Sequence, residues 1–364
     1  MSEDRIDEFT WADLLTDLVA RRDMDRGTAA AAMERVLSGE LTPVQVAGFA
    51  VALRAKGETA DEIAGMAEGM ISQAIPVELD RDAVDIVGTG GDRANTVNIS
   101  TMAALVAAGA GAKVVKHGNR AASSACGTAD CLEALGVGVD IDPERQADVL
   151  DEVGLTFLFA PRYHASLRHA APARKELGIQ TTFNLLGPLT NPARPHAAAI
   201  GIADGAMAPL VADALAARGT RGLVFHGEDG LDELTTTTTS QVWVISDGKV
   251  VETEIDPAAL GLTPAAPADL VGGDPQFNAG VVRKVLAGEH GPVRDIVLLN
   301  AAAALLAHDG PTIDEELVPQ LAQELERAVQ SIDSGASIAG SLLPQTDCKR
   351  YPRPGPQGRA VCKC

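Results

Sequence analysis

The stretch VDIVGTGGDRANTVNIST, residues 84–101, decides the fold. Val84, Ile86 and Val87 read as a short buried strand. The chain then turns through Gly88, Gly90 and Gly91, where the missing Cβ lets backbone N–H groups approach an anion. Asn98, Ser100 and Thr101 stand just before an alanine-rich helix expected over 102–110, so hydroxyls and free amides gather at a helix N-terminus, a favourable place for phosphate. A plain turn followed by an N-cap is the competing structural reading. Neither common nucleotide fingerprint fits: Gly88-Thr89-Gly90-Gly91 runs into Asp92 and Arg93 rather than completing G-x-G-x-x-G, and the Walker G-K-[ST] is absent. The stretch asks for a phosphate without identifying its owner.

Working outward, 364 residues are enough for two or three structural units around a large core. With 46% hydrophobic and 22% charged residues the chain reads as soluble and globular. A formal net charge of −20 disfavours general nucleic-acid binding, because phosphate backbones select basic surfaces. No run of about 18 apolar residues suggests a membrane span, and no basic-then-apolar start suggests a signal peptide, so the expected location is the cytoplasm. Cys126, Cys131, Cys348, Cys362 and Cys364 form neither a disulfide framework nor a complete metal-ligand set and read as ordinary thiols.

Residues 1–80 read as a mainly helical domain. Thr10 caps a helix carrying Trp11, Leu14, Leu15 and Leu18, and a second helix is expected over 28–37. Thr42-Pro43-Val44-Gln45 and Thr59-Ala60-Asp61-Glu62 are capping boxes that open two more. Its apolar positions suit internal packing or an oligomer interface. Residues 81–343 read as α/β, with strands expected at 84–87, 113–115, 156–159, 197–202 and 222–225 and a hairpin, 241–245 with 249–255, turning on Asp247-Gly248. Helices are expected at 129–135, 144–153, 279–286, 301–306 and 315–328. Part of 165–190 is expected to pack on the helical domain, and the proline-rich, locally basic 344–364 reads as a disordered tail.

Two further loops carry chemistry-bearing residues. Lys116-His117-Gly118-Asn119-Arg120-Ala121-Ala122-Ser123-Ser124 follows the 113–115 strand where an α/β sheet opens into a ligand cleft. Lys116 can attract phosphate, Asn119 can orient a donor or carbonyl, Ser123 and Ser124 can bind phosphate oxygens, and Thr128 adds a hydroxyl at the next helix start. Asp232-Glu233, beyond the strand containing Val224 and Phe225, offers oxygen ligands for one or two cations, with Ser100 as a further ligand; a solvent loop is the alternative. Thr235–Thr239 read as an extended polar segment. Arg174 offers the planar fork suited to a carboxylate, against an ordinary surface salt bridge.

In combination and order, Gly88-Thr89-Gly90-Gly91-Asp92, Asn98-Ile99-Ser100-Thr101, Lys116-His117-Gly118-Asn119-Arg120, Asn184-Leu185-Leu186-Gly187-Pro188-Leu189-Thr190-Asn191-Pro192 and Asp232-Glu233 strongly resemble the anthranilate phosphoribosyltransferase family. The resemblance implies a large mixed-sheet α/β domain with a smaller helical domain, the nucleoside phosphorylase/phosphoribosyltransferase fold. It implies magnesium-dependent transfer of a 5-phosphoribosyl group from phosphoribosyl pyrophosphate to anthranilate, in tryptophan synthesis. By the same resemblance Gly88, Gly91, Asp92, Thr96, Asn98, Ile99, Ser100, Thr101, the loop Lys116 to Ser124 and Thr128 line the donor site. Ser100, Asp232 and Glu233 bind two Mg2+ ions. Asn119, His117 and Arg174 are the catalytic candidates, with Asn119 and Arg174 towards anthranilate, and the helical domain forms a homodimer. Two substitutions stand out: Arg93 where the family often has glycine, and Thr128 where it often has serine. A pyrimidine-nucleoside phosphorylase and a noncatalytic nucleic-acid-binding homologue are the alternatives; the NLLGPLTNP stretch, Arg174 and the acid pair favour the transferase.

Overall fold

The computed structural model describes residues 9–121 and 124–337. The expected donor-loop residues Ala122 and Ser123 and the tail 344–364 lie outside them.

Four capped helices open the chain. Thr10 accepts from Asp13 N at 3.1 Å to start α1 (Trp11–Val19), and Asp25 caps α2 (Arg26–Ser38), which ends on left-handed Gly39. Helices α3 (Pro43–Lys56) and α4 (Ala60–Ser72) begin with the reciprocal Thr42–Gln45 and Thr59–Glu62 boxes. Glu62 does more than cap. It is fully buried, accepts from Met24 N at 2.9 Å and pairs with Lys56 at 2.9 Å.

A seven-stranded sheet follows, in the order β3-β2-β1-β4-β5-β6-β7. Its strands are β1 (Val84–Gly88), β2 (Val114–Gly118), β3 (Leu155–Phe159), β4 (Ala197–Gly201), β5 (Arg221–Gly227), β6 (Ser240–Ser246) and β7 (Lys249–Ile255). The first five are parallel; β6 and β7 are antiparallel, joined by the Asp247-Gly248 turn with both residues at positive φ. From β1 the chain moves outward to β2 and β3, then returns to lay β4 on the other side of β1. The connections after β1 and β4 therefore leave in opposite directions and open a crevice at their C-terminal ends. Gly88 and Gly201 are register partners at that point.

Side chains alternate across the sheet. Val84, Ile86, Val114, Ala197, Ala199, Leu223 and Phe225 face one hydrophobic cluster with α5 (Ile99–Gly109), α12 (Pro275–Leu286), α13 (Pro292–Asp309) and α14 (Leu317–Asp333). Ala198, Ile200, Val224, Trp243 and Ile245 face a second cluster. It runs without a break through α10 (Phe183–Leu189) and α11 (Ala208–Ala216) into α1–α4. Two polar tethers reinforce the junction: Arg54 pairs with Asp204, and buried Glu58 accepts from Thr182 Oγ1 at 2.7 Å. Helices α6 (Thr128–Ala134), α7 (Gln146–Val153), α8 (Ala160–Tyr163) and α9 (Ala171–Leu177) complete the connections, with α9 against α3.

Several elements differ from expectation. Helix α5 begins at Ile99, three residues early, so Ser100 and Thr101 lie inside its first turn. Helix α13 has 18 residues rather than the expected 301–306; it is buried nearly all round, so no polar stripe marked its length. Helix α10 incorporates Pro188 within NLLGPL. Thr235–Thr239 form no strand; they fold around Asp229, which accepts from Thr235 Oγ1 at 2.7 Å and from Thr237 Oγ1. No helix among the described residues is long and apolar enough to cross a membrane.

Candidate active site

The crevice holds the acid pair. Leu231 and Leu234 sink into the core, and buried Asn300 of α13 reads both polar groups of Leu234, accepting from its N–H at 3.0 Å and donating to its carbonyl at 2.8 Å. Nothing in the sequence pattern singled out Asn300. The loop is thereby pressed onto the ends of β1 and β4. A Cβ on Gly88 would overlap the Asp232 carboxylate, and one on Gly201 would overlap the Asp232 carbonyl group. Gly88 thus serves the acid pair as well as the turn.

Asp232 and Glu233 are each 9% exposed. Asp232 Oδ2 accepts from Gly90 N at 2.7 Å. Burial, then the neighbouring Asp92, push the Asp232 carboxyl up to about 7. Burial and then Asp232 hold Glu233 well above the usual carboxylate range, while the Ser100 amide at the start of α5 favours its charged form. Burial raises Asp92 as well, and its side chain hydrogen-bonds Asp232. Lys116 is the internal counter-charge. Its ammonium is buried, donates to the Ile86 carbonyl and to Ser100 Oγ at 3.2 Å, and lies in the fields of Asp85, Glu233 and Asp232. These contacts are within the protein; the sequence offered Lys116 as a cation that can attract phosphate.

Among the described residues no group of three or more His, Cys, Asp or Glu has the arrangement to hold a metal unaided. That suits Mg2+, which typically takes one or two carboxylates and completes its shell with water and substrate phosphates. Two carboxylates crowded together, with Ser100 Oγ near, fit such an ion.

The glycine loop carries backbone donors. Gly90, Gly91, Arg93 and Asn95 all have positive φ. Asp92 Oδ1 turns back to accept from Ala94 N at 3.3 Å, whereas neither the Gly91 nor the Asp92 N–H has an acceptor among the described residues. Arg93 at φ 61° explains why glycine suits its position. Its side chain is exposed and unpaired among the described residues.

Other expected donor-site residues divide into free and engaged groups. Thr96 bridges Val271, and Ile99 is core, so only its backbone can face a ligand. Asn98 spends its amide on Cys126 O at 3.1 Å and its Oδ1 on buried Asn278 of α12 at 2.8 Å, a second residue the sequence did not reveal. Thr101 lies 3.5 Å from Thr128 through their hydroxyls. Gly118 packs on Phe157. Arg120 is drawn to Asp130 and Glu133, and Ala121 N donates to Asp130 Oδ2 at 2.9 Å. Ser124 Oγ reaches Cys126 O at 3.4 Å. Asn119 is exposed; its Oδ1 accepts from Arg120 N at 2.7 Å and its Nδ2 has no acceptor among the described residues.

His117 points to the opposite face of the sheet. It is buried, donates from Nδ1 to Gly187 O at 3.2 Å and stacks edge-on with His164, ring centroids 5.3 Å apart. Burial, then His164, push the ring down to about 3. The ring is neutral near pH 7 and supplies no acid. Its strand is fixed by Asp85, which accepts from His117 N at 3.1 Å and from Asn191 of the NLLGPLTNP stretch at 2.8 Å.

Arg174 lies half-buried on α9, its guanidinium 5.8 Å from the Phe183 ring centroid. Burial lowers its pKa, and among the described residues no carboxylate pairs with it. Such a cation is a ready partner for a planar carboxylate.

A switch-point crevice with a glycine loop, a helix N-terminus and buried acids defines a phosphate-handling site with room for a divalent cation, a constellation that suits a glycosyl transferase acting on a phosphorylated donor. Family models agree: the glycosyl transferase family helical bundle domain matches residues 12–74 and its a/b domain residues 80–338. The chain belongs to the anthranilate phosphoribosyltransferase family. It is 58% identical over 332 residues to the anthranilate phosphoribosyltransferase of Arthrobacter sp. (strain FB24), covering 91% of this chain and 94% of that one. The crystal structure of the Thermus thermophilus enzyme is similar at TM-score 0.84 and 42% identity, covering 90% of this chain and 97% of that one. The Saccharomyces cerevisiae enzyme in complex with PRPP and Mg is similar at TM-score 0.84 and 27% identity, covering 95% and 100%.

Proposed function

We infer that this chain transfers the 5-phosphoribosyl group of phosphoribosyl pyrophosphate to the amine of anthranilate, releasing pyrophosphate. One observation carries the reading: an unpaired, half-buried arginine stacked on Phe183 belongs to a segment that touches the glycine loop beside the acid pair. A carboxylate receptor next to a phosphate cradle suits an aromatic amino acid meeting a phosphorylated donor. The Arthrobacter relative bears the name of this activity, and the yeast relative was solved with PRPP and Mg.

Asp232, Glu233 and Ser100 would hold Mg2+, two ions in our reading, and the metal would neutralise charge building on the departing pyrophosphate. The chain's own contribution is orientation and preformed dipoles. The Gly91 and Asp92 amides are available to diphosphate oxygens, Asn119 Nδ2 is available to donor or acceptor, and Arg174 orients the anthranilate carboxylate. Lys116 restrains repulsion among the acids from within. The aromatic amine is already largely neutral near pH 7, so no base is required to create the nucleophile, in keeping with a neutral His117.

The test is turnover by the purified chain: anthranilate consumed and pyrophosphate released in equal amounts, dependent on donor and on Mg2+. Absence of product under these conditions refutes the assignment, and nucleoside cleavage by inorganic phosphate would replace it with a phosphorylase. A homodimer through the helical domain is part of the proposal. Sedimentation would detect it. The cytoplasm is the proposed location.

A further inference from the structure

One side chain joins the segment between α9 and α10 to the glycine loop. Gln180, itself exposed, donates from Nε2 to the Gly91 carbonyl at 3.1 Å, across 89 positions of sequence. A Cβ on Gly91 would fall 2.5 Å from that nitrogen, and Gly91 has φ +88°, so the contact needs glycine on both counts. The base of Gln180 is rigid. Thr181 is buried, with its N–H donating to Asn184 Oδ1 at 3.0 Å, and fully buried Thr182 is tied to Glu58. Ordering a long exposed side chain costs entropy, so a fixed contact of this kind calls for a purpose.

A trans peptide is planar, with its C=O and N–H pointing oppositely. Holding the Gly91 carbonyl towards Gln180 therefore fixes the direction of the Asp92 N–H, which has no acceptor among the described residues. We propose that Gln180 is a positioning residue of the donor site. By pinning the Gly91–Asp92 peptide it presents the Asp92 amide to the donor's diphosphate, and it links the acceptor segment bearing Arg174 to the donor loop. The proposal rests on the phosphoribosyl-transfer reading above.

The experiment compares wild-type protein with Gln180→Ala and Gln180→Glu. Glutamate keeps the shape but cannot donate when ionised. Phosphoribosyl pyrophosphate is titrated calorimetrically in excess Mg2+, alongside thermal unfolding and steady-state kinetics. Donor Kd should rise by about 2- to 12-fold in Gln180→Ala, the worth of one neutral hydrogen bond. It should rise further in Gln180→Glu, where a carboxylate faces a carbonyl and an anionic donor. Tm should stay at the wild-type value. Donor Kd near wild type in both variants, or weakened binding that merely tracks a lowered Tm, overturns the proposal. Wild-type protein that neither binds the donor nor turns it over refutes the functional reading itself and takes this role with it.

Discussion

Gly201→Ala is the sharpest perturbation the structure offers, because it adds one methyl group where the acid loop meets the sheet. The new Cβ would sit well inside the 3.0 Å that real Cβ atoms respect, against the carbonyl carbon and oxygen of Asp232, and 3.1 Å from Glu233 N. Backbone on both sides is fixed: Gly201 is paired with Gly88 in the sheet, and Leu231, Leu234 and Asn300 anchor the loop. The strain must therefore move Asp232 and Glu233 together. Overpacking of this kind typically costs about 1–3 kcal/mol of stability. A shift on the order of 1 Å in residues that hold a reacting group costs about 100-fold in rate. We expect kcat/KM down by about 100-fold with a steeper Mg2+ requirement, measured over a magnesium series beside thermal unfolding. Gly280→Ala is the control. That glycine lies within α12 with nothing within 4 Å of its Cβ direction, and alanine there should gain up to about 1 kcal/mol. A folded Gly201→Ala enzyme with wild-type magnesium dependence would refute the reasoning.

Arg174→Ala should raise the KM for anthranilate by about 10- to 150-fold, the range for a sheltered charge-assisted hydrogen bond, with much less effect on donor Kd; unchanged anthranilate kinetics would remove the residue from the acceptor site. Mg2+ affinity should fall as pH drops through about 7, because the Asp232 carboxyl then holds a proton that the metal must displace; Glu233→Gln should weaken binding further, and isothermal titration at pH 6 and 8 reads both. His117 bears on stability instead. Its ring is pushed down to about 3 when folded, against about 6.5 unfolded, so wild-type stability is drained as pH falls from 6.5 towards 3. His117→Gln should flatten that part of the difference curve in denaturant titrations, and parallel curves would count against a buried neutral ring.

Features written in local chemistry were the legible ones. The Thr42–Gln45 and Thr59–Glu62 boxes, the Asp247-Gly248 turn and the apolar strand runs each carry their signal within a few residues. Helix α13 was largely hidden because burial on all sides erases periodicity, and α10 because Pro188 reads as a breaker though its ring fits inside NLLGPL. The same divide runs through the site. Glycines, hydroxyls and acids announce an anion and a cation. But which groups are free depends on partners elsewhere along the chain: Asn278 takes up Asn98, and Asp130 and Glu133 together take up Arg120. Lys116 could be read as a cation near the site, but the groups that hold its ammonium, Ser100 and the Ile86 carbonyl, belong to other elements and become visible only once the sheet neighbours are known. Asn300, Asn278 and Gln180 act through long-range hydrogen bonds, for which a lone sequence holds no marker.

The unbroken second hydrophobic cluster bears on how this protein folds and ages. Phe49, Met33 and Met66 belong to the same packed interior as Ile200, Val224 and Trp243, although the sequence places a connector between them. A bundle excised at that connector would carry a raw apolar face, and the sheet left behind would lose the cover on one side. The four opening helices therefore cannot serve as a detachable module, and a lesion in them should be inherited by the whole chain as lost cooperativity. Proteolytic nicking of the connector would leave two pieces that stay together until the entire molecule melts.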